Sequence, residues 1–208
     1  VYIEQIRTLG RRTAELHRAF SSVPTEPDFE PEPIESKDME MWAKAVTGQS
    51  NAAFTVLEAL SRTAEEPLLE LIGSILPRKK ECLAAIRKLA KGKISASKTR
   101  IHGDYHLGQV LVAENDFYII DFEGEPRRSL AERRGKSSAF KEVAGMLRSF
   151  DYAAWSALFA LAEHEADAIA RLSPVAFDWR QAAQDSFLAS YFEAVGDCAR
   201  CPADRADG

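Results

Sequence analysis

The chain has 208 residues, 46% hydrophobic and 28% charged, with a formal net charge of −5. That length suffices for one packed domain or one large lobe. The acidic balance argues against a general nucleic-acid binder, and no apolar run approaches the ~18 residues of a membrane span. No basic segment followed by an apolar one opens the chain, so no secretory leader is visible. The three cysteines, Cys82, Cys198 and Cys201, are few and odd in number. Such usage suits a reducing cytoplasm. Cys198 and Cys201 form a lone C-x-x-C, and zinc needs about four ligands, so they read as incidental surface cysteines.

Helical spacing begins at once. Ile6, Leu9, Ala14, Leu16, Ala19 and Phe20 share one face of a helix over residues 3–20. The stretch 21–35 then reads as a linker loop within the lobe. Ser21 to Pro33 holds four prolines and four acids (Glu26, Asp28, Glu30 and Glu32), and proline removes backbone donors and restrains its predecessor. A solvated surface loop is expected there. Helices follow over about 37–62, between Pro67 and Pro77, and over about 78–91, where Gly92 stops the last one.

The period then changes. Thr99 to Ile101, Val110 to Val112 and Phe117 to Ile120 are short β-branched and aromatic runs, and Glu114-Asn115-Asp116 separates the last two. That pattern predicts a hairpin. Helical spacing returns from about 136, with a long helix over 139–165 and a final one over about 178–197. The expected fold is mainly α with a small β-hairpin island, an α+β arrangement.

The polar residues of the island carry the chemistry. One segment is Ile101-His102-Gly103-Asp104-Tyr105-His106-Leu107-Gly108-Gln109, and the other is Asp121-Phe122-Glu123-Gly124. Each acid ends an apolar run, which places it on a loop held by a rigid scaffold. Phosphoryl transfer needs a carboxylate to orient or accept the proton of the attacking hydroxyl, and oxygen ligands for Mg²⁺ on the nucleotide phosphates. Protein kinases meet this with H-R-D-x-x-x-x-N and D-F-G. Here His102, Asp104 and Gln109 reproduce the first spacing, with Gln for Asn, and Asp121 stands 17 residues after Asp104. Either motif alone is weak; the ordered pair across a hairpin-sized gap is more specific. Asp104 and Asp121 can also be read as turn-capping residues. His102 reads as bracing the loop.

Beyond this general pattern, His102 to Val112, Asp121 to Pro126 and Lys141 to Ala154 resemble the maltokinases, within the aminoglycoside-phosphotransferase-like kinases. Maltokinases also occur fused to trehalose synthase. Leu9 to His17 resembles the helix that follows their interlobe hinge. The resemblance is tightest over 100–155 and poor over 20–95. It implies that residues 1–208 form the C-terminal lobe of a protein-kinase-like fold, without the N-terminal lobe that covers the nucleotide. Because the chain opens on Val1, an upstream segment carrying that lobe is expected. The implied activity is ATP-dependent phosphorylation of a sugar hydroxyl, maltose to maltose 1-phosphate, with Asp104 as base. Gln109 and Asp121 would hold Mg²⁺, with Glu123 as a further ligand. Two departures matter. Lys141-Glu142 stands where the family shows Arg-Asp, and no glycine-rich nucleotide loop occurs.

Sugar recognition needs stacking faces and hydroxyl partners, for which Tyr105, His106, Tyr152 and Trp155 are candidates; Tyr152 and Trp155 also suit core packing. The basic run from Arg127 to Lys141 faces phosphates or is simply solvated. Two other classes stay open. Gly103-Asp104-Tyr105-His106 resembles the start of a metallophosphoesterase site, with His102, Asp104, His106 and Asp121 as ligands. A non-catalytic helical lobe serving interaction or regulation is the other.

Overall fold

The computed structural model describes residues 2–22, 26–92, 94–165 and 167–196. Cys198 and Cys201 lie outside them. The elements run α1 (Tyr2–Phe20), β1 (Glu32–Pro33), α2 (Ser36–Leu60), α3 (Leu68–Ile75), α4 (Lys79–Ala90), β2 (Ser97–Lys98), β3 (Val110–Ala113), β4 (Asp116–Ile119), α5 (Leu130–Arg134), α6 (Phe140–Ala162) and α7 (Ala168–Val195). The chain is mainly helical with two small antiparallel pairs; the change of period at 99–122 predicts the β3–β4 hairpin, whereas the β1–β2 pair is unexpected. Among the described residues no helix is long and apolar enough to cross a membrane. Two compact units emerge: residues 1–33 with 96–208, and residues 34–95.

The larger unit is built on α1, α6 and α7. Leu9, Ala14, Met146, Phe150, Ala183, Phe187 and Tyr191 interlock in its core. The buried stripe of α1 is Ile6, Leu9, Gly10, Thr13, Ala14 and His17. Its spacing is helical, but two of its members are polar. The helix over 168–195 starts ten residues before the expected position and runs through Pro174 in its second turn. A proline that early removes one backbone donor yet leaves the rest of the helix intact.

The β3–β4 hairpin pairs Val110 with Ile119 and Ala113 with Asp116. Glu114 and Asn115 connect the strands, both with positive φ (51° and 64°). A two-residue turn of that hand matches the twist of the flanking strands. Arg12 on α1 grips the hairpin bidentately, with Nε 2.8 Å and Nη2 2.5 Å from the two Asp116 oxygens. This bond, then one from the Phe117 N–H, holds the Asp116 carboxyl down at about 2. A carboxyl with a lowered folded pKa stabilises above its ordinary value, so this tie weakens only as pH falls from about 3.8 toward about 2. Arg12→Ala is expected to move the midpoint of an Asp116 chemical-shift titration back up toward 3.8; an unmoved midpoint would assign the shift to another cause.

The segment around residues 26–33 is a largely exposed loop, as expected, but it is pinned at several points. Phe29 packs on Phe20. Lys136 Nζ donates to the Pro27 carbonyl at 2.7 Å and to Glu32 at 2.6 Å. Glu32 and Pro33 form β1, opposite Lys98 and Ser97 of β2. An acid–base match across distant sequence, invisible to composition, ties down the end of the loop. Thr99 to Ile101 likewise makes no extended strand; Thr99 forms an isolated bridge with Ser137.

The smaller unit is helical. Its α2 begins with the Glu35 N–H donating to the Asp38 carboxylate at 2.9 Å, as expected for a side chain satisfying an orphan donor at a helix start. Phe54 and Ile72 are buried. Lys79 lies over the Phe54 ring and bonds Glu58 at 3.0 Å.

Candidate functional site

The segment 101–109 is held from beneath by α6. Glu142, 2% exposed, accepts from the Gly103 N–H at 2.7 Å and from the His102 N–H at 3.1 Å. The same carboxylate accepts from His17 Nε2 at 3.1 Å, and His17 Nδ1 meets the Tyr191 hydroxyl at 2.9 Å. Burial by itself would raise the Glu142 carboxyl. The bond and charge of His17, followed by the two backbone N–H groups, outweigh it and hold the pKa below the ordinary value. The Leu107 N–H donates to Ser149 Oγ at 3.1 Å. Gly145 completes the seat, since a Cβ there would lie 2.8 Å from the Tyr105 carbonyl oxygen. Gly145→Ala is therefore expected to destabilise by about 1–3 kcal/mol through overpacking; an unchanged urea midpoint would show that the loop shifts freely.

Two contacts join this segment to the one beginning at Asp121. His102 Nε2 bonds the Ile120 carbonyl at 2.8 Å, and its ring lies 4.8 Å from that of Phe122. Gly103 and Gly124 have φ of 95° and 76°, and a Cβ on Gly103 would stand 3.1 Å from the Gly124 Cα. Only glycine suits both positions, because a side chain would be strained and would push the segments apart. Asp121 itself has φ 63°, an uncommon conformation in which a short polar residue is better tolerated than a bulky one.

The side chains fall into groups. Gln109 Nε2 donates to Asp121 Oδ2 at 2.9 Å. The amide orientation follows from that bond, and its oxygen is a second hard donor beside the carboxylate. An amide oxygen and one carboxylate suit Mg²⁺, which completes its shell with phosphate oxygens and water. Glu123 is exposed, and its carbonyl accepts from Arg133 Nη1 at 3.2 Å.

Asp104 lines a cavity of about 490 Å³ with His106, Glu125, Arg128, Lys141, Arg148 and Tyr152 among its other walls. His106 Nδ1 accepts from the Gly108 N–H at 3.0 Å. The neutral ring then carries its proton on Nε2, which is 4.0 Å from Asp104 Oδ2.

Two of the candidate sugar contacts are otherwise engaged. Tyr105 is 4% exposed. Its hydroxyl is 2.8 Å from Thr13 Oγ1, and burial pushes its pKa well above the phenol range. The ring therefore belongs to the core. Trp155 stacks on Phe159 and meets Phe177 edge-on, between α6 and α7 and away from the cavity lining. Tyr152 does line it, and Arg148 Nη2 donates to its hydroxyl at 2.9 Å.

The basic run divides. Lys136 and Arg133 hold backbone and Glu32, whereas Arg128 and Lys141 face the cavity. Sequence reasoning passed over Glu142 except as a departure from Arg-Asp. The metallophosphoesterase arrangement does not form: among the described residues no three of His, Cys, Asp and Glu gather to hold a metal, and His102 Nε2 is committed to Ile120.

The chain is similar to known proteins in sequence and in fold. The chain is 33% identical over 91 residues to a glucosamine kinase of Streptacidiphilus jiangxiensis, covering 44% of this chain and 19% of that protein. It is 27% identical over 156 residues to a glucosamine kinase of Mycolicibacterium smegmatis, covering 73% and 34%. A solved glucosamine kinase in complex with glucosamine, ADP and inorganic phosphate superposes with TM-score 0.71 at 21% identity, over 93% of this chain and 40% of that one. A second crystal form gives 0.70 at 22%, over 91% and 40%. The chain thus spans well under half the length of these relatives, and its fold is that of the C-terminal lobe of a kinase-like protein. Residues 2–124 match the model of the phosphotransferase enzyme family known as APH, and the chain belongs to that family.

Proposed function

We propose that this chain is the catalytic-loop lobe of an ATP-dependent sugar kinase. The observation that carries the reading is the placement of Asp104. Its carboxylate lines an open cavity, on a loop tied through His102 and Gly103 to the segment that bears the Gln109–Asp121 oxygen pair. A cavity of this size falls within the range of small-molecule sites.

In this reading Asp104 orients the attacking sugar hydroxyl and accepts its proton. Glu142 fixes the loop through the His102 and Gly103 N–H groups, so that the carboxylate meets the hydroxyl without reorganising. The Nε2 of His106 faces the Asp104 carboxylate at 4.0 Å. Gln109 and Asp121 would hold Mg²⁺, which when bound neutralises charge on the nucleotide phosphates. Glu123 is placed by sequence beside this pair as a further ligand. Arg148 fixes Tyr152 on the cavity wall, where its ring and hydroxyl suit a sugar.

Maltose, giving maltose 1-phosphate, is the acceptor favoured by the resemblance of residues 100–155 to maltokinases, and association with a trehalose synthase belongs to the same reading. The relatives are named for glucosamine, so the acceptor is open to a direct comparison. The test is to incubate the full-length polypeptide carrying this chain with ATP, Mg²⁺ and maltose, glucose or glucosamine, and to follow sugar phosphate by ³¹P NMR. Formation of maltose 1-phosphate supports the reading. No phosphorylated sugar from any of the three would end it. Residues 1–208 alone are expected to show no turnover, because the sequence carries no glycine-rich loop or Walker lysine to position the phosphates; robust turnover by that fragment would place the nucleotide site elsewhere.

A further inference from the structure

The cavity beside Asp104 has an uneven charge. Arg128, Lys141 and Arg148 line it, facing the carboxylates of Asp104 and Glu125. The third carboxylate in the wall, Glu142, is already matched by His17 and two backbone N–H groups. Arg148 is held in place by the Tyr152 hydroxyl, with its guanidinium 5.3 Å from the ring centroid. Among the described residues neither the Lys141 ammonium nor the Arg128 guanidinium closes a hydrogen bond or an ion pair. They also act on each other: the Lys141 ammonium has its pKa lowered first by desolvation and next by the charge of Arg128, against the pull of Glu142, Asp104 and Glu125. Two cations that lack close partners in one partly desolvated cavity repel a third and attract an anion or an uncharged hydroxyl.

We propose that Arg128, Lys141 and Arg148 set the acceptor class of this cavity, admitting a neutral or carboxylate-bearing sugar and rejecting one that carries an ammonium group. The inference rests on the reading of the cavity as the acceptor site. It separates this chain from the glucosamine kinases to which it is similar, because the amine of glucosamine is largely protonated at neutral pH. It also gives a role to the basic run, which composition alone leaves ambiguous.

The experiment is calorimetric titration of the full-length polypeptide, without nucleotide, with glucose, glucosamine and glucuronate at pH 7. Glucosamine is expected to bind about tenfold or more weakly than glucose, since like charges set together in a binding site are strongly disfavoured, and glucuronate no more weakly than glucose. Lys141→Glu is expected to narrow the glucosamine–glucose gap by about tenfold, and Arg128→Gln to narrow it less. Both positions face the cavity rather than the core, and an unchanged melting temperature would show that the fold survives. Glucosamine binding as tightly as glucose, or a gap unmoved by both variants, overturns the inference alone. A uniform loss of affinity for all three sugars in both variants, with the gap unmoved, also overturns it. No binding by any of the three, nor by maltose in a parallel titration, overturns the sugar-site reading and the inference together.

Discussion

Asp104→Asn in the full-length polypeptide is expected to lower sugar phosphorylation by about 10²–10⁴-fold, the usual range for loss of a positioned general base. The substitution keeps the shape of the side chain, and the loop beneath it is fixed by Glu142 and Ser149 rather than by Asp104. Binding of Mg·ATP should therefore stay within about twofold, because in the proposed division of roles Asp104 would serve the acceptor. Asp121→Asn is expected to behave differently. It removes a charge from the Gln109–Asp121 pair and so weakens metal-dependent nucleotide binding as well as turnover. Calorimetry with and without Mg²⁺ separates the two. Equal binding losses in both variants would show that the roles of base and metal ligand are wrongly divided.

Glu142→Ala carries the second large effect, on stability. The carboxylate is 2% exposed and His17 is 1% exposed, and removing one partner of a buried pair costs about 3–5 kcal/mol because the other partner and its donors remain unsatisfied. Here those donors are His17 Nε2 and the N–H groups of His102 and Gly103. Glu142→Gln retains one acceptor oxygen but turns an NH₂ toward a donor, so it should recover only part of the loss. Urea unfolding of the chain measures both. A Glu142→Ala midpoint equal to that of the unaltered chain would mean that water replaces the carboxylate and the loop is anchored elsewhere. The Glu142 pKa is lowered on folding. Its stabilising contribution is thus complete above the ordinary carboxyl value and lost as pH falls below it, so the difference between variant and unaltered chain should shrink in acid.

The elements that announce themselves by local pattern were legible. The hairpin at 110–119 shows in β-branched runs around Glu114-Asn115, and the helices over α1, α2, α4 and α6 show in their apolar spacing. Asp104, Gln109 and Asp121 stood out as candidates because ordered spacing across a hairpin is unusual in itself, and the fold bonds Gln109 to Asp121. What stayed hidden depends on contacts distant in sequence. His17 and Thr13 interrupt the apolar face of α1 and look solvent-facing. Their burial makes sense only once Glu142, Tyr191 and Tyr105 supply partners from 92 to 174 residues away. Tyr105, adjacent to Asp104, looks like a substrate contact until Thr13 is seen to claim its hydroxyl. Trp155 sits on the helix that lines the cavity, yet its position on that helix turns it toward α7. Proline and acid content made residues 26–33 look loose, because composition does not show that Lys136 waits for Glu32.

The β1–β2 pair has a consequence for how this fold can vary. Residues 34–95 leave the larger unit after Pro33 and return to it at Ala96, next to the place where Glu32 faces Lys98 and Pro33 faces Ser97. Glu32 is held there by Lys136 at 2.6 Å, with Lys98 at 3.6 Å. The two ends of the excursion are thus fastened together by groups that belong to the larger unit. Once the ends of a loop are joined, its length enters the free energy only logarithmically, and doubling it costs about 0.6 kcal/mol. The core of α1, α6 and α7 is then nearly blind to how much chain lies beyond the clasp. Length changes concentrated between residues 34 and 95 should be tolerated there, while the same changes between Asp104 and Asp121 would pull Asp104 and the Gln109–Asp121 pair out of register.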